Sequence, residues 1–205
     1  MKSNVSKYLV GLGLVVAFAG AQAAPELIQN GSFEQQAVAD GAAADVAYTA
    51  ANSWGFGGWN QVTGSDPQIV NPSAGAPIQA PDGSQYALLT GYAHEIYQTI
   101  STNAGTSYTV SFSYIGQGNY GAGEGDPPSL ISGSLSTPAT TWTTFNYQFT
   151  ADNSFTKVHF YGSNAGAFGV DKVSVTAVPE PESMAMLLAG LGVLGFMGRR
   201  RSNRG

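Results

Sequence analysis

The stretch YTVSFSYIG, residues 108–116, decides the fold of this chain. Its aromatic and aliphatic residues alternate with threonine and serine, so an extended strand places the apolar ones on a single face. These apolar residues are Tyr108, Val110, Phe112 and Tyr114. Such alternation is typical of a strand that is buried on one side and solvated on the other, as in antiparallel sheets.

Three later segments repeat the two-residue period. They are TTFNYQFTA at 143–151, TKVHFYG at 156–162 and GVDKVSVTA at 169–177. In the second of these, Val158 and Phe160 share one face. The opposite face carries Lys157, His159 and Tyr161, a set that indicates a wetted strand surface.

Turn signals such as Pro81-Asp82-Gly83 and Asn103-Ala104-Gly105 separate the strand-like segments. The alanine-rich stretch 37–51 lacks an apolar stripe, and it predicts no amphipathic helix. Many short alternating strands joined by loops favour an all-β fold. We therefore predict a single antiparallel β-sandwich of the jelly-roll type over residues 24–177.

The N-terminus is typical of a signal peptide. Lys2 and Lys7 flank the start of the apolar run 8–20, which the small residues Ala21 and Ala23 follow. The run is too short for a membrane anchor and has no stop-transfer flank. We expect signal peptidase to remove residues 1–23, so that the mature protein is exported.

The last 28 residues, 178–205, combine three features. Pro179-Glu180-Pro181 is extended, because proline has no backbone N–H and restricts its neighbour. The apolar run 183–198 would span about 24 Å as a helix, against a hydrocarbon core of about 30 Å. Arg199, Arg200 and Arg201 follow it as a positive-inside anchor.

This order of features resembles the PEP-CTERM sorting signal of Gram-negative bacteria. The resemblance implies that exosortase, a membrane-embedded transpeptidase, processes the chain. A short C-terminal transmembrane helix would hold the protein briefly in the inner membrane. Release or attachment at the cell surface or in the extracellular matrix would follow. Organisms with this system typically make exopolysaccharide and form biofilms. A permanent tail anchor is the alternative.

Between its two ends the chain is acidic. It has eleven acidic residues from Glu26 to Asp171 but only Lys157 and Lys172 as basic ones. Such a domain cannot neutralise phosphates, which excludes nucleic acid as a partner. Neutral sugars or calcium suit it better. The chain has no cysteine, so disulfides, thiolate metal sites and cysteine nucleophiles are excluded.

The middle domain resembles the galactose-binding-like jelly rolls, which include many carbohydrate-binding modules. The residues that carry the resemblance are ELIQNGSFE at 26–34, Trp59, the segments 98–114 and 140–151, and GVDKVSV at 169–175. The resemblance implies a two-sheet jelly roll, a structural calcium ion and glycan contacts made by aromatic side chains.

Glu34 and Asp171 match the positions at which that family binds calcium. Calcium takes six to eight oxygen ligands, so backbone carbonyls would complete the shell. Asp171 shares its parity with Val173 and Val175, and a buried carboxylate needs donors or a cation. The alternative is that Asp171 caps a β-bulge, since Phe168 and Val170 have the opposite parity.

Aromatic residues carry the ligand hypothesis. The glycine-rich stretch NSWGFGGWNQ, residues 52–61, contains Trp54 and Trp59, and sugars stack on such side chains. Trp54 and Tyr120 fit exposed loops equally well as ligand contacts or as core. Trp59 matches a packing position of the family, and Trp142 fits the core. Further candidates are Phe56, Tyr92 and Tyr114.

Catalytic features are weak. Glu124 and Asp126 lie close together in a glycine-rich loop, which favours a solvated turn over a glycosidase pair held on a rigid frame. No nucleophile or metalloprotease motif accompanies His94 or His159. We therefore predict a non-catalytic module that binds extracellular polysaccharide. The alternatives are a structural matrix protein, a glycoside hydrolase, or an ice-binding protein that uses threonines such as Thr143 and Thr144.

Overall fold

A computed structural model describes residues 24–46, 54–57, 67–91, 94–125, 127–179 and 188–194. The predicted signal peptide 1–23 lies outside the described residues. So do Trp59, Tyr92, Asp126, Glu180, Pro181 and the arginines from Arg199 to Arg201.

The described residues form ten strands. They are β1 (Ala42–Asp45), β2 (Gly55–Gly57), β3 (Gln68–Asn71), β4 (Tyr86–Thr90), β5 (Glu95–Ser101), β6 (Ser107–Ala122), β7 (Ile131–Ser136), β8 (Thr143–Thr150), β9 (Phe155–Tyr161) and β10 (Ala167–Ala177). Every strand pair is antiparallel.

The strands form two sheets that share β6. Sheet A has the order β1–β3–β4–β10–β6–β8, and sheet B has the order β2–β5–β9–β6–β7. The first half of β6 pairs in sheet A with β10 and β8, whereas 117–122 pair in sheet B with β7 and β9. The predicted all-β antiparallel sandwich is confirmed.

Gly116 lies where β6 leaves one sheet for the other. Its φ is 82°, a left-handed conformation that glycine adopts at little cost. A Cβ at this position would lie 2.0 Å from the carbonyl oxygen of Ala167 in the neighbouring β10. Both the backbone conformation and the close approach therefore require glycine.

The core lies between the two sheets. Phe112 of sheet A and Phe160 of sheet B are fully buried and meet edge to face, with ring centroids 4.8 Å apart. The alternation predicted for β6, β8 and β9 is confirmed, since Val110, Tyr147 and Val158 also belong to this core. Burying these faces is the main favourable contribution to folding.

The opening segment, residues 24–35, lies beside the second half of β10. The amide of Leu27 donates to the carbonyl of Val175 at 3.0 Å, and that of Val173 donates to Gly31 at 2.9 Å. The buried side chain of Gln98 joins this segment to β5, because its amide exchanges two 2.8 Å hydrogen bonds with the backbone of Gln29.

Trp142 does not lie in the core, contrary to expectation. It precedes β8 and is half-buried on the outer surface of sheet A, over Gly169 and edge to face with Tyr86 at 5.3 Å. β8 begins at Thr143, after this residue, so the two-residue period of the strand does not constrain the Trp142 side chain.

The chain leaves the sandwich at the end of β10. The amide of Val178 donates to the carbonyl of Ser107 at 2.8 Å, and Pro179 beyond it is exposed. A helix covers 188–194, with Leu188 and Leu191 exposed. In the parts of the chain that the structure describes, no helix is long and apolar enough to cross a membrane. The C-terminal transmembrane helix stays a prediction.

Candidate ligand-binding groove

Three rings lie in a row on the outer face of sheet B. Tyr97 of β5 lies directly opposite His159 of β9, and Tyr161 follows two residues along the same strand. All three point away from the core, because their neighbours Ile96 and Phe160 point into it. The row therefore follows from the register of two strands that are far apart in sequence.

The rings are close to one another. The centroids of Tyr97 and His159 are 6.0 Å apart, and those of His159 and Tyr161 are 5.6 Å apart with nearly parallel planes. Gly55 of β2 lies opposite Tyr97, and a Cβ there would come within 2.7 Å of the tyrosine ring. The glycine of the edge strand thus leaves room for the first ring of the row.

His159 is held from both sides. Its Nε2–H donates to the carbonyl of Gly123 at 2.8 Å, and its Nδ1 contacts the carboxylate of Glu95. The hydroxyl of Tyr161 is 3.2 Å from the same Nδ1. The sequence predicted a wetted strand surface at His159. The residue does face outward, but its neighbours cover it and it is only 4% exposed.

Lys157 lies beside the row of rings. Its Nζ is 2.8 Å from the carboxylate of Glu124 and 5.5 Å from the centroid of the Tyr97 ring. The hydrogen bond that Lys157 donates to Glu124 raises the pKa of Lys157, and burial opposes that shift. The amine therefore stays charged and forms an ion pair with Glu124.

Two depressions have Tyr161 in common among their lining residues, and we refer to the two together as the groove. The first, of about 220 Å³, is lined by Glu95, Tyr97, Gly125, Lys157, His159 and Tyr161. The second, of about 160 Å³, is lined by Tyr161 together with Asn119, Tyr120, Pro127, Pro128, Ser132, Gly133 and Ser134. The groove thus combines aromatic faces with amide and hydroxyl groups.

Tyr120, one of the residues predicted to bind ligand, lines the second depression. It is partly buried, and its ring lies against Phe145 and Tyr147 with centroids 5.0 and 4.7 Å away. A Cβ on Gly133 would lie 2.7 Å from its hydroxyl. Nearby, Ser134 Oγ donates to the Asn119 side chain at 2.6 Å.

Trp54 does not line the groove. The expectation of an exposed loop was wrong, because Trp54 is 1% exposed and its Nε1–H donates to the carbonyl of Asn30 at 3.0 Å. Its ring lies against Phe33 and Phe160, at 5.2 and 6.1 Å. Tyr114, another candidate, is also buried.

Glu34 and Asp171 lie together away from the groove. The Asp171 carboxylate, 0% exposed, accepts from the amides of Asp82 at 2.8 Å and Lys172 at 2.6 Å. Glu34 accepts from the amides of Ser84 and Gln85 at 2.8 and 2.7 Å. Both carboxylates thus bind the same segment, 82–85.

Burial raises the pKa of Asp171 to about 7. The two backbone amides oppose that shift, whereas the nearby charges of Asp82 and Glu34 add to it. The register of β10 against β6 shifts between Asp171 and Ser174, with φ of 54° at Lys172. β10 therefore has the β-bulge that the change of parity predicted, and within it the Asp171 carboxylate accepts from the amide of Lys172.

Two carboxylates on one segment fit calcium in chemistry, provided that backbone carbonyls supply the other oxygens. Among the described residues, no three acidic or histidine side chains cluster in a way that could hold a metal ion. The Asp171 carboxylate is buried and lies near the negative charges of Asp82 and Glu34. A bound cation would compensate for both effects.

A family model described as HpiC1 cyclase matches residues 24–159, more than half of the sequence. The chain belongs to the HpiC1-like family. A second model, the PEP-CTERM protein-sorting motif, matches residues 177–201 of the HpiC1-like chain. The predicted sorting signal is thereby confirmed, and the motif implies an exported protein that an exosortase processes at the membrane.

Solved structures share the fold of the HpiC1-like chain. A CBM4 structure matches with a TM-score of 0.51 and 18% identity, over 74% of this chain and 99% of that one. A putative sugar binding protein from Bacteroides thetaiotaomicron gives 0.53 and 9%, over 74% and 99%. The resemblance to carbohydrate-binding-module jelly rolls is confirmed at the level of the fold.

Among curated proteins, halomucin of Haloquadratum walsbyi is 29% identical over 178 residues. The match covers 81% of the HpiC1-like chain but only 2% of halomucin. The chain thus spans a small fraction of that relative's length.

Proposed function

We propose that the HpiC1-like domain binds a polysaccharide in the groove of sheet B. The observation that supports this most is the row of Tyr97, His159 and Tyr161, with centroids 5.6–6.0 Å apart on the outer face of sheet B. Tyr97 and Tyr161 are partly exposed there, whereas His159 is covered by its neighbours. Sugar rings have apolar faces that pack on aromatic side chains, and their hydroxyls need polar partners. Asn119 and Ser134 also line the groove, and their side chains supply polar groups for these hydroxyls.

The proposal extends to location. The chain is cleaved after Ala23 by signal peptidase, anchored for a time in the inner membrane, and then released or attached at the surface of a Gram-negative bacterium. Its ligand is the exopolysaccharide of the producing cell, within a biofilm matrix. Support comes from the sorting motif at 177–201 and from the scarcity of basic residues in the domain.

The test is calorimetric titration of the processed protein with the producer's purified exopolysaccharide. Tyr97→Ala and Tyr161→Ala should each weaken binding by about fivefold, because one stacked ring contributes about 1 kcal/mol. Thr176→Ala, on the outer face of sheet A, is the matched control and should bind normally. Saturable binding that survives both tyrosine changes would place the ligand elsewhere. Absence of binding by the unmodified protein would favour the structural-matrix alternative.

A structural calcium ion is a further part of the proposal. Glu34 and Asp171 would hold it, and backbone carbonyls would supply its other ligands. Bound calcium would neutralise the buried Asp171 and join the opening segment to β10. Binding and removal of calcium would then change stability rather than the groove, which lies on sheet B.

Catalysis in the same groove is the second candidate. The matching family is described as a cyclase, and Nδ1 of His159 contacts both Glu95 and the Tyr161 hydroxyl. A general acid must lie within hydrogen-bond reach of its substrate, and Tyr161 borders the groove. In the titration samples, mass spectrometry should find the polysaccharide unchanged. A product that disappears with Tyr161→Phe, which keeps the ring, would establish catalysis instead.

A further inference from the structure

β8 is an unprotected edge strand. Among the described residues it pairs only with β6, and its eight residues, TTFNYQFT, include no charged residue, glycine or proline. Threonine, phenylalanine and tyrosine favour extended backbone. An exposed edge strand of this composition offers its free N–H and C=O groups to another strand.

The other edges that the structure describes are protected. β1 has four residues and ends at Asp45, and β2 has three residues, two of them glycine. β7 is longer but contains Gly133. Short strands, charges and interruptions are the usual protection against pairing between sheets, and β8 lacks all of them.

An apolar seam runs beside β8 where the two sheets part. Tyr120, Ile131, Leu135 and Phe145 line it, and each packs on the core while remaining partly exposed. Along the described chain, most of the partly buried apolar residues that pack on the core lie on β6, β7, β8 or the loop between β6 and β7. Covering this seam would bury further apolar surface.

The distribution of charge on the domain indicates where a second copy can bind. The domain is strongly acidic, so two copies repel each other at most orientations. The outer face of β8 carries only neutral polar side chains, which are Thr144, Asn146, Gln148 and Thr150. Two copies can therefore meet at β8 without bringing like charges together.

We propose that β8 pairs antiparallel with β8 of a second copy, about a two-fold axis at Tyr147. Residues opposite each other must have the same parity, so that outer side chains meet outer ones and inner ones meet inner ones. This register places Asn146 opposite Gln148 and Thr144 opposite Thr150. Every polar pair joins two amides or two hydroxyls, and sheet A continues across both copies.

Charge insertion tests the interface. Light scattering of the processed protein should give a dimer, and Asn146→Lys with Gln148→Lys should give a monomer, because four lysines would meet at the axis. Ser111→Lys with Thr176→Lys adds the same charge to the same face away from the edge, and this control should stay dimeric. Circular dichroism melting would verify that each variant is folded. A monomeric unmodified protein, or a folded lysine variant that stays dimeric, would overturn the proposal.

Cross-linking tests the register. Because the chain has no cysteine, introduced thiols report only on their own positions. The double variant Asn146→Cys with Gln148→Cys should oxidise to a disulfide-linked dimer, whereas either single variant should not. A cross-link formed by Asn146→Cys alone would move the axis to Asn146 and overturn the stated register. Neither test depends on polysaccharide binding.

Discussion

Asp171 is a residue whose ionisation is costly in this fold. Its pKa rises from 3.8 to about 7 on folding, chiefly through burial. The native state therefore favours the protonated carboxyl. The stability that this provides is complete below about pH 4 and is lost as the pH rises through about 7, if no cation is bound.

Without calcium, we expect the free energy of unfolding to fall by a few kcal/mol between about pH 5 and pH 9. Asp171→Asn should remove most of that slope, since the amide cannot ionise. Adding calcium should flatten the slope of the unmodified protein and leave the variant unchanged. Urea titrations at each pH, with chelator or calcium, measure both. An equal effect of calcium on the two proteins would exclude Asp171 as a ligand.

Asp171 and Trp54 show which features of single residues could be predicted from the sequence and which could not. The bulge at Asp171 was predictable, because the parity of the apolar residues changes within one segment. The burial of Trp54 was not, because it depends on Phe33 and Asn30 in the opening segment, more than twenty residues away. Nothing local to a glycine-rich stretch reveals such a contact.

At the scale of elements, β6 couples the two sheets. Gly116→Ala should destabilise the protein by several kcal/mol, because the methyl group would meet the Ala167 carbonyl at 2.0 Å and the φ of 82° would be strained. Gly75 is the matched control, since its φ is 85° but nothing lies within 4 Å of its Cβ position. Gly75→Ala should cost only about 1 kcal/mol.

Thermal or urea unfolding of the two variants measures the difference. Equal losses would mean that backbone strain, rather than the contact with β10, fixes the crossing.

The strands themselves were largely predictable where alternation is regular, as in β6, β8, β9 and β10. The short β1, β2 and β3 were not, because three or four residues carry too little periodicity.

At the scale of the whole molecule, the groove depends on strand order. Tyr97 and His159 are 62 positions apart in the chain and meet only because β5 lies beside β9. The sequence placed His159 and Tyr161 on one outward face but could not supply the strand next to it. The fold class could therefore be predicted from the sequence, whereas the row of rings could not.

The position of β10 gives a prediction at this scale. A chain that ends after Val178 should keep the stability of the full domain, because Val178 makes the last hydrogen bond to the sheet. A chain that ends at Gly166 should not fold, since it loses Phe168, Val170 and Val175 from the core. Circular dichroism and proteolysis of the two truncated proteins would distinguish them. A folded shorter chain would contradict the central role of β10.

The same position governs when the protein can fold. β10 lies between β4 and β6 in sheet A, yet it is the last strand to be synthesised. Until it emerges, β4 and β6 have no strand between them, and the contacts that close the sandwich are distant in sequence. The sandwich therefore cannot close until β10, the segment directly before the sorting signal, has been synthesised.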